Sequence, residues 1–350
     1  MMIPTWIQQP IQDVDGPAQE LARQRQGSLT KPPGSLGRLE EIAIHLAGLQ
    51  GVEKPQLQQI VITIFAADHG VAAAGVSAFP QSVTVEMIRN FSRGGAAISV
   101  LARQLGAKLE VVDVGALEDP GDLPGVIRQR AGAGTVDFRQ APAMDEGQLE
   151  QALAAGYDAV ERAAELETEL FIAGEMGIGN TTAASALLAA LAELAPIQVV
   201  GPGTGVDAEG MQRKRSAIEE ALAHHKDHLS HPLEVLQRLG GFEIAAMAGA
   251  YLRAGQRGIP LLVDGFISSV AALVAVRLKP ELHPWLLLSH SSAEPAYGLL
   301  AAQLNQTPLL DFGMRLGEGS GAAVTVPLLQ LACRLHSEMA TFAEAGISGG

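Results

Sequence analysis

Aromatic side chains are scarce in this chain: Phe, Trp and Tyr together make up 4% of its 350 residues, against 47% for all hydrophobic types. With so few large rings the interior has to be filled by Ala, Leu, Val and Ile, the mixture of an α/β protein with Ala-rich covering helices. Cysteine is almost missing as well. Cys333 is the only one, which excludes a disulfide within the chain, and in the apolar pattern LLQLACRL it reads as a buried, inert thiol suited to a reducing cytosol. Cations are few. The formal charge of −14 argues against nucleic acid or an anionic membrane surface, since both call for a basic footprint. No long apolar run is unbroken: residues 181–200 contain Glu193 and Pro196, and residues 259–276 contain Pro260, Asp264, Ser268 and Ser269, so neither should span a bilayer. The start, MMIPTWIQQPIQDVDG, lacks the basic flank and apolar core of a signal peptide. What is left is a cytoplasmic protein that handles small molecules.

The chain is longer than the ~250 to 300 residues at which one core usually stops growing, so a large domain with a smaller companion is expected. From residue 60 a grammar repeats in which a short β-branched run ends in a polar or glycine-rich loop and an Ala-rich helix follows. The runs are 60–65, 109–114, 170–173, 197–200, 260–263, 285–288 and 308–310. This predicts an α/β fold with an open, mostly parallel sheet and helices on both faces. Ligands in such sheets sit outside the carboxyl ends of the strands. Asp68, His69, Glu175, Asn180, Asp264, His290, Ser291, Ser292 and Glu318 should therefore share one rim.

Elsewhere the pattern is plainer. Residues 1 to about 30 are polar and read as peripheral helix with loop. Ser35 is a candidate N-cap for a helix carrying Leu39, Ile42, Leu46 and Leu49 at helical spacing. Arg38 reads as an exposed first-turn arginine. Residues 84–105 are helical but interrupted at Gly94 and Gly95, giving a kink or two helices. Residues 120–150, rich in Gly, Pro and acid, read as an exposed excursion.

Four stretches carry candidate chemistry. In GEMGIGNTTAASALLAAL (174–191) a glycine-rich loop follows a strand and opens a helix, an arrangement that binds anions through backbone N–H groups and the macrodipole; the alternative is a purely structural turn. Its glycines are spaced neither as a dinucleotide fingerprint nor as a P-loop. GPGTGVDAEGMQRKR (201–215) repeats the theme and adds Arg213, Lys214 and Arg215, of which helical geometry lets at most one or two face a pocket. HHKDHLSHP (224–232) has metal-like spacing but no rigid carboxylate or cysteine partner, so no metal is expected. In DFGMRLGEGSGAA (311–323), Gly317 and Gly319 strip side-chain bulk from both sides of Glu318, which reads either as a capping carboxylate at a helix N-terminus or as a catalytic one.

Taken together, KPPGSLGRLE, ADHGV, FPQSVT, FSRGGAAISVLARQ, GEMGIGNTTAASA, VGPGTG, LGGFEIAAMAGA, DGFISSVAALVA, SHSSAEP and DFGMRLGEGSGAA closely resemble the nicotinate-nucleotide:dimethylbenzimidazole phosphoribosyltransferase family, from Lys31 to about residue 348. The resemblance implies transfer of phosphoribose from nicotinate mononucleotide to 5,6-dimethylbenzimidazole, without a cofactor. It also implies a homodimer and a Rossmann-like large domain at 31–325, with a small helical domain built from residues 1–30 and 326–350. By carry-over, Glu318 is the catalytic base and Glu175 a second carboxylate for ribose or for support of the base. Pro80, Gln81, Ser82, Met87 and Leu316 form the base pocket. The phosphate goes to Gly177, Ile178, Gly179, Asn180 and Gly203, with Lys214 and Ser291 alongside. Glu86 departs from the neutral residue expected in FPQSVTVEM. Two other classes stay open on the residues: a nucleotide-binding sensor or carrier without turnover, and a nicotinamide-dependent oxidoreductase, the latter disfavoured by the missing G-x-G-x-x-G.

Overall fold

Five of the seven apolar runs read from the sequence become strands of one sheet in the computed structural model, which describes residues 4–203 and 205–347. The strands are β1 Ile60–Ala67, β2 Lys108–Gly115, β3 Val126–Arg128, β4 Leu170–Met176, β5 Leu261–Val263 and β6 Leu286–Leu288. Their order is β3-β2-β1-β4-β5-β6 and every pairing is parallel. The helices are α1 Gly16–Ser28, α2 Arg38–Gln50, α3 Ser82–Arg93, α4 Ala97–Leu105, α5 Glu146–Ala164, α6 Asn180–Ala192, α7 Pro196–Val199, α8 Ala208–His225, α9 Pro232–Leu239, α10 Phe242–Arg257, α11 Phe266–Leu278, α12 Tyr297–Gln303 and α13 Ser320–Glu338. All eight residues of β1 are buried, as a central parallel strand covered on both faces must be. Helices α5, α10 and α11 pack together over β4 and its neighbours, while α4 and α13 pack against each other elsewhere on the sheet. Strand order reverses between β1 and β4. There the connections part in opposite directions and leave a crevice at the carboxyl ends.

Several expectations need correction. Residues 197–200 are not a strand: Pro196 occupies the first turn of α7, where its fixed φ suits a helix start. Residues 308–310 make only a bridge, Leu310 to His290, beside the end of β6. The stretch 120–150 is not simply an excursion, because β3 pairs with β2 and Phe138, Ala143 and Met144 are buried. Ser35 caps nothing; α2 starts after Gly37, which has φ 54°. Gly94, with φ 78°, ends α3, so residues 84–105 are two helices.

The residues ahead of α1 are anchored rather than peripheral. Ile7 and Ile11 are buried, Trp285 Nε1 donates to Gln12 O at 2.9 Å, and Gln256 Nε2 donates to Trp6 O at 2.9 Å. The chain ends also meet: Arg25 donates to the carbonyls of His336 and Ser337 at 2.8 and 2.9 Å, and Leu29 bridges Thr341. Helix α13 runs unbroken across residues 325 and 326, so the expected division falls inside a helix. Cys333 is buried, which pushes its thiol up to about 12. Among the described residues no helix is long and apolar enough to cross a membrane.

Helices α5 and α10 approach closely because each offers a glycine to the other's backbone. A Cβ on Gly156 would run into Ala246 O, and one on Gly249 into Leu153 O. Gly156→Ala is expected to cost about 1–3 kcal/mol, the usual penalty of overpacking, and thermal unfolding of the two proteins measures it.

Candidate functional site

At the carboxyl ends of β4, β5 and β6 lies a cavity of about 340 Å³. Its floor begins with β4, which delivers Glu175 and Met176 before the turn Gly177–Gly179 opens α6. A Cβ at Gly177 would meet Ala67 O, and Gly179 has φ 100°; the glycines let the turn press against β1. Asn180 Nδ2 donates to Glu175, which is 6% exposed. Burial raises the Glu175 pKa well above the usual range, and the charges of Glu243, Asp264 and Glu318 push it the same way. Not all the loop amides are free for an anion: Ile178 N donates to Thr84 Oγ1 at 3.2 Å and Asn180 N to Gly177 O at 3.3 Å.

Opposite this floor, Gly317, Glu318 and Gly319 have successive φ of 88°, 62° and 73°. The left-handed backbone at Glu318 costs roughly 1–2 kcal/mol for a residue with a Cβ. What requires it is close approach, since a Cβ on Gly317 would strike the Glu175 carboxylate and one on Gly174 would strike the Glu318 backbone. Glu318 does not cap α13, whose N-cap Gly319 has no side-chain bond. Its Oε2 instead accepts from Ile98 N at 3.3 Å, in the first turn of α4. Burial raises its pKa, the Ile98 N–H opposes the rise, and Asp264 adds to it.

Asp264 follows β5 and His290 follows β6, so adjacent strand ends bring them together. Ala322 N donates to Asp264 Oδ1 at 2.9 Å, and His290 Nε2 lies 3.6 Å from that oxygen. Burial would lower the His290 pKa, but the Asp264 carboxylate outweighs it and the net shift is upward. His290 and Ser292 line the cavity and Ser291 does not, as alternation along extended chain requires; Ser291 N donates to Leu310 O at 2.7 Å.

The apolar wall comes from Val83 and Met87 on one face of α3 and Phe79 in the bend before it, with Phe266, Ile267 and Leu316. Three residues expected here are elsewhere: Gln81 Nε2 donates to His69 O at 3.1 Å, while Pro80 and Ser82 are exposed outside the cavity lining. Glu86 also points to solvent. At the other end, Gly203, Thr181, Glu294 and Arg315 line the cavity. Lys214 stands behind them, its Nζ donating to Thr181 Oγ1 at 2.8 Å and to Gly201 O at 3.2 Å, and burial lowers its pKa to about 8. Arg315 Nη1 donates to Gly203 O at 2.9 Å. Burial raises the Glu294 pKa against the pull of Lys214.

Of the residues singled out beforehand, Glu318, Glu175, Met87, Leu316, Gly177, Ile178, Asn180 and Gly203 meet in this cavity. Gly179 serves the turn beneath it. His69 lies outside it, its Nε2 2.7 Å from Glu243 Oε1 with both side chains fully buried. Arg315 and Glu294 carry no role in the sequence analysis, although each lies inside a motif quoted there, DFGMRLGEGSGAA and SHSSAEP. Val83 is one i, i+4 step from Met87 and is within reach of helical spacing, whereas Phe79 precedes α3 and gives no such signal.

A family model described as Phosphoribosyltransferase matches residues 11–347. The chain is 58% identical over 347 residues to the nicotinate-nucleotide–dimethylbenzimidazole phosphoribosyltransferase of Pseudomonas putida, covering 99% of each chain. It is 58% identical over 344 residues to the one of Azotobacter vinelandii, covering 98% of each. Among solved structures, that of a nicotinate-nucleotide-dimethylbenzimidazole phosphoribosyltransferase from Thermus thermophilus aligns with a TM-score of 0.91 and 46% identity, over 96% of this chain and 100% of the other.

Glu175 makes the electrostatics of the cavity testable. A carboxyl whose folded pKa lies above its ordinary 4.5 contributes stability that is present below that value and lost as pH rises through the folded pKa. Glu175→Gln should therefore unfold at a higher temperature than the wild type at pH 7, with the gap closing toward pH 4.5. A gap independent of pH would contradict this.

Proposed function

Because the chain belongs to the nicotinate-nucleotide–dimethylbenzimidazole phosphoribosyltransferase family, we propose that it moves phosphoribose from nicotinate mononucleotide to 5,6-dimethylbenzimidazole. The products are α-ribazole 5′-phosphate, for the lower ligand of cobalamin, and nicotinate. The observation that carries this reading is Glu318: a carboxylate 7% exposed, with its pKa raised, facing a cavity that has an apolar wall on one side and Arg315 at one end, with Lys214 behind it.

One base suffices for this chemistry. Nicotinate leaves as a neutral ring nitrogen from a pyridinium that is already cationic, so its departure needs no acid. The attacking benzimidazole uses one nitrogen lone pair while the other nitrogen carries a proton that turns acidic as the new C–N bond forms. Glu318 accepts that proton and aims the ring, a role worth typically 10² to 10⁴ in rate. Its raised pKa makes it a stronger base once ionised. Phe79, Val83, Met87 and Leu316 suit a methylated aromatic acceptor. Glu175 and Asp264 lie where positive charge grows on the ribose ring as the old bond breaks. The phosphate belongs at the Gly203 end, near Arg315 and the Thr181 hydroxyl, with Lys214 supplying charge from behind. We further assign the protein to the cytoplasm as a homodimer, with the joined chain ends forming a small helical unit.

Incubation with nicotinate mononucleotide and dimethylbenzimidazole should release nicotinate; folded wild-type protein that binds the nucleotide without base exchange would make it a sensor instead. Glu318→Gln should keep the fold and lose at least about a hundredfold in kcat. Since Lys214 loses its proton above about pH 8, KM for the nucleotide should rise there, and Lys214→Met should flatten that limb of the profile while weakening binding at pH 7.

A further inference from the structure

Gln81 and Thr84 of the motif FPQSVT stay out of the cavity, yet they join its two halves. Thr84 is fully buried. Its hydroxyl accepts from Ile178 N at 3.2 Å and donates to Asp68 Oδ1 at 2.7 Å. Asp68, buried just past β1, accepts through Oδ2 from Leu117 N at 2.7 Å. One oxygen thus ties α3, the loop after β4 and the end of β1. Val83 and Met87 on α3 belong to the apolar wall, while Gly177, Ile178 and Asn180 belong to the opposite side. A second tie runs parallel: Gln81 Nε2 donates to the carbonyl of His69, whose ring is held by Glu243 at 2.7 Å and whose Cβ would sit 3.0 Å from a Cβ on Gly179.

We propose that Thr84 is a positioning residue that sets the gap between the acceptor-base wall and the nucleotide loop, and thereby selects the width of base that can attack. The inference rests on the phosphoribosyltransferase reading. The position needs one small side chain that accepts and donates at once, which only a hydroxyl offers. Val at this site would leave Ile178 N and Asp68 Oδ1 without their buried partner, and α3 would be free to shift against the loop. A displacement near 1 Å can cost on the order of a hundredfold when two reactants must meet in line.

The test compares kcat/KM for 5,6-dimethylbenzimidazole with that for unmethylated benzimidazole, using nicotinate mononucleotide as donor. This ratio does not depend on the fraction of folded enzyme, so general destabilisation leaves it unmoved. Thr84→Val should shift the ratio by at least about threefold, as loss of fit at a methyl pocket does, and Thr84→Ser should restore the wild-type ratio. Gln81→Ala, at a half-buried side chain, should shift it in the same direction by less and covers the case in which Thr84→Val does not fold. An unchanged ratio in the folded variants, or Thr84→Ser behaving like Thr84→Val, overturns the inference. Wild-type enzyme silent with both bases overturns the transferase reading instead.

Discussion

Four carboxylates, Glu175, Glu243, Asp264 and Glu318, are buried near one another beside the strand ends at the switch point of the sheet. Mutual repulsion and lost hydration make such a cluster costly, and a fold keeps it only if the surroundings leave it no escape. Here the surroundings are backbone. Gly174 and Gly317 let the Glu318 loop lie directly on β4, so Glu175 has no room to swing out, and Ile98 N holds Glu318 from the far side. His69 and His290 are the buried partners on offer, one against Glu243 and one against Asp264. That leaves Glu175 and Glu318 without a cation of their own among the described residues. The strained φ of Glu318 and the raised carboxyl pKa values are two faces of one constraint, that backbone must approach backbone at this point.

The sheet order supplies the rest. Because β1 and β4 are neighbours whose connections diverge, the loop after β4 can open into the crevice while α3, entered from β1, closes it from the side. No single element makes the site. It is assembled from strand ends far apart in sequence, and hydrogen bonds such as Thr84 to Asp68 do the joining.

Much of this was legible in advance, since parallel strands announce themselves as β-branched runs followed by polar loops and those runs locate β1, β2, β4, β5 and β6. Residues read from the motif glycines, Glu175 to Ile178, Asn180, Gly317 and Glu318, reach the cavity because Gly174, Gly177 and Gly317 mark places where backbone is approached closely. What stayed hidden depended on direction. Ser291 and Ser292 look alike in the sequence, and only the pleat beyond β6 decides which one faces inward. Gln81 looks like a ligand-binding residue until His69 O is seen to hold it. In the basic run 213–215 spacing alone does not say which cation faces a pocket, and it is α8 that turns Lys214 inward behind Gly203. Short β3 was obscured by the Gly and Pro around it, its pairing partner lying outside its own stretch of chain.

On the transferase reading, charge is sorted along the cavity in the way the substrate requires. Nicotinate mononucleotide carries a positive charge at its pyridinium nitrogen, balanced by the carboxylate on the same ring, and a phosphate dianion at its far end, with ribose between. The carboxylate cluster lies at the strand ends of β4 and β5, while Arg315 and Lys214 lie around Gly203 with the Glu294 carboxyl group between them. A nucleotide entering the wrong way round would set phosphate against three carboxylates, at a distance where low dielectric strengthens repulsion. Orientation is therefore enforced by penalty as much as by attraction. The same field that costs the empty protein stability favours a sugar carbon that grows positive as its bond to nicotinate lengthens, so the expense of burying these groups is recovered where catalysis needs it.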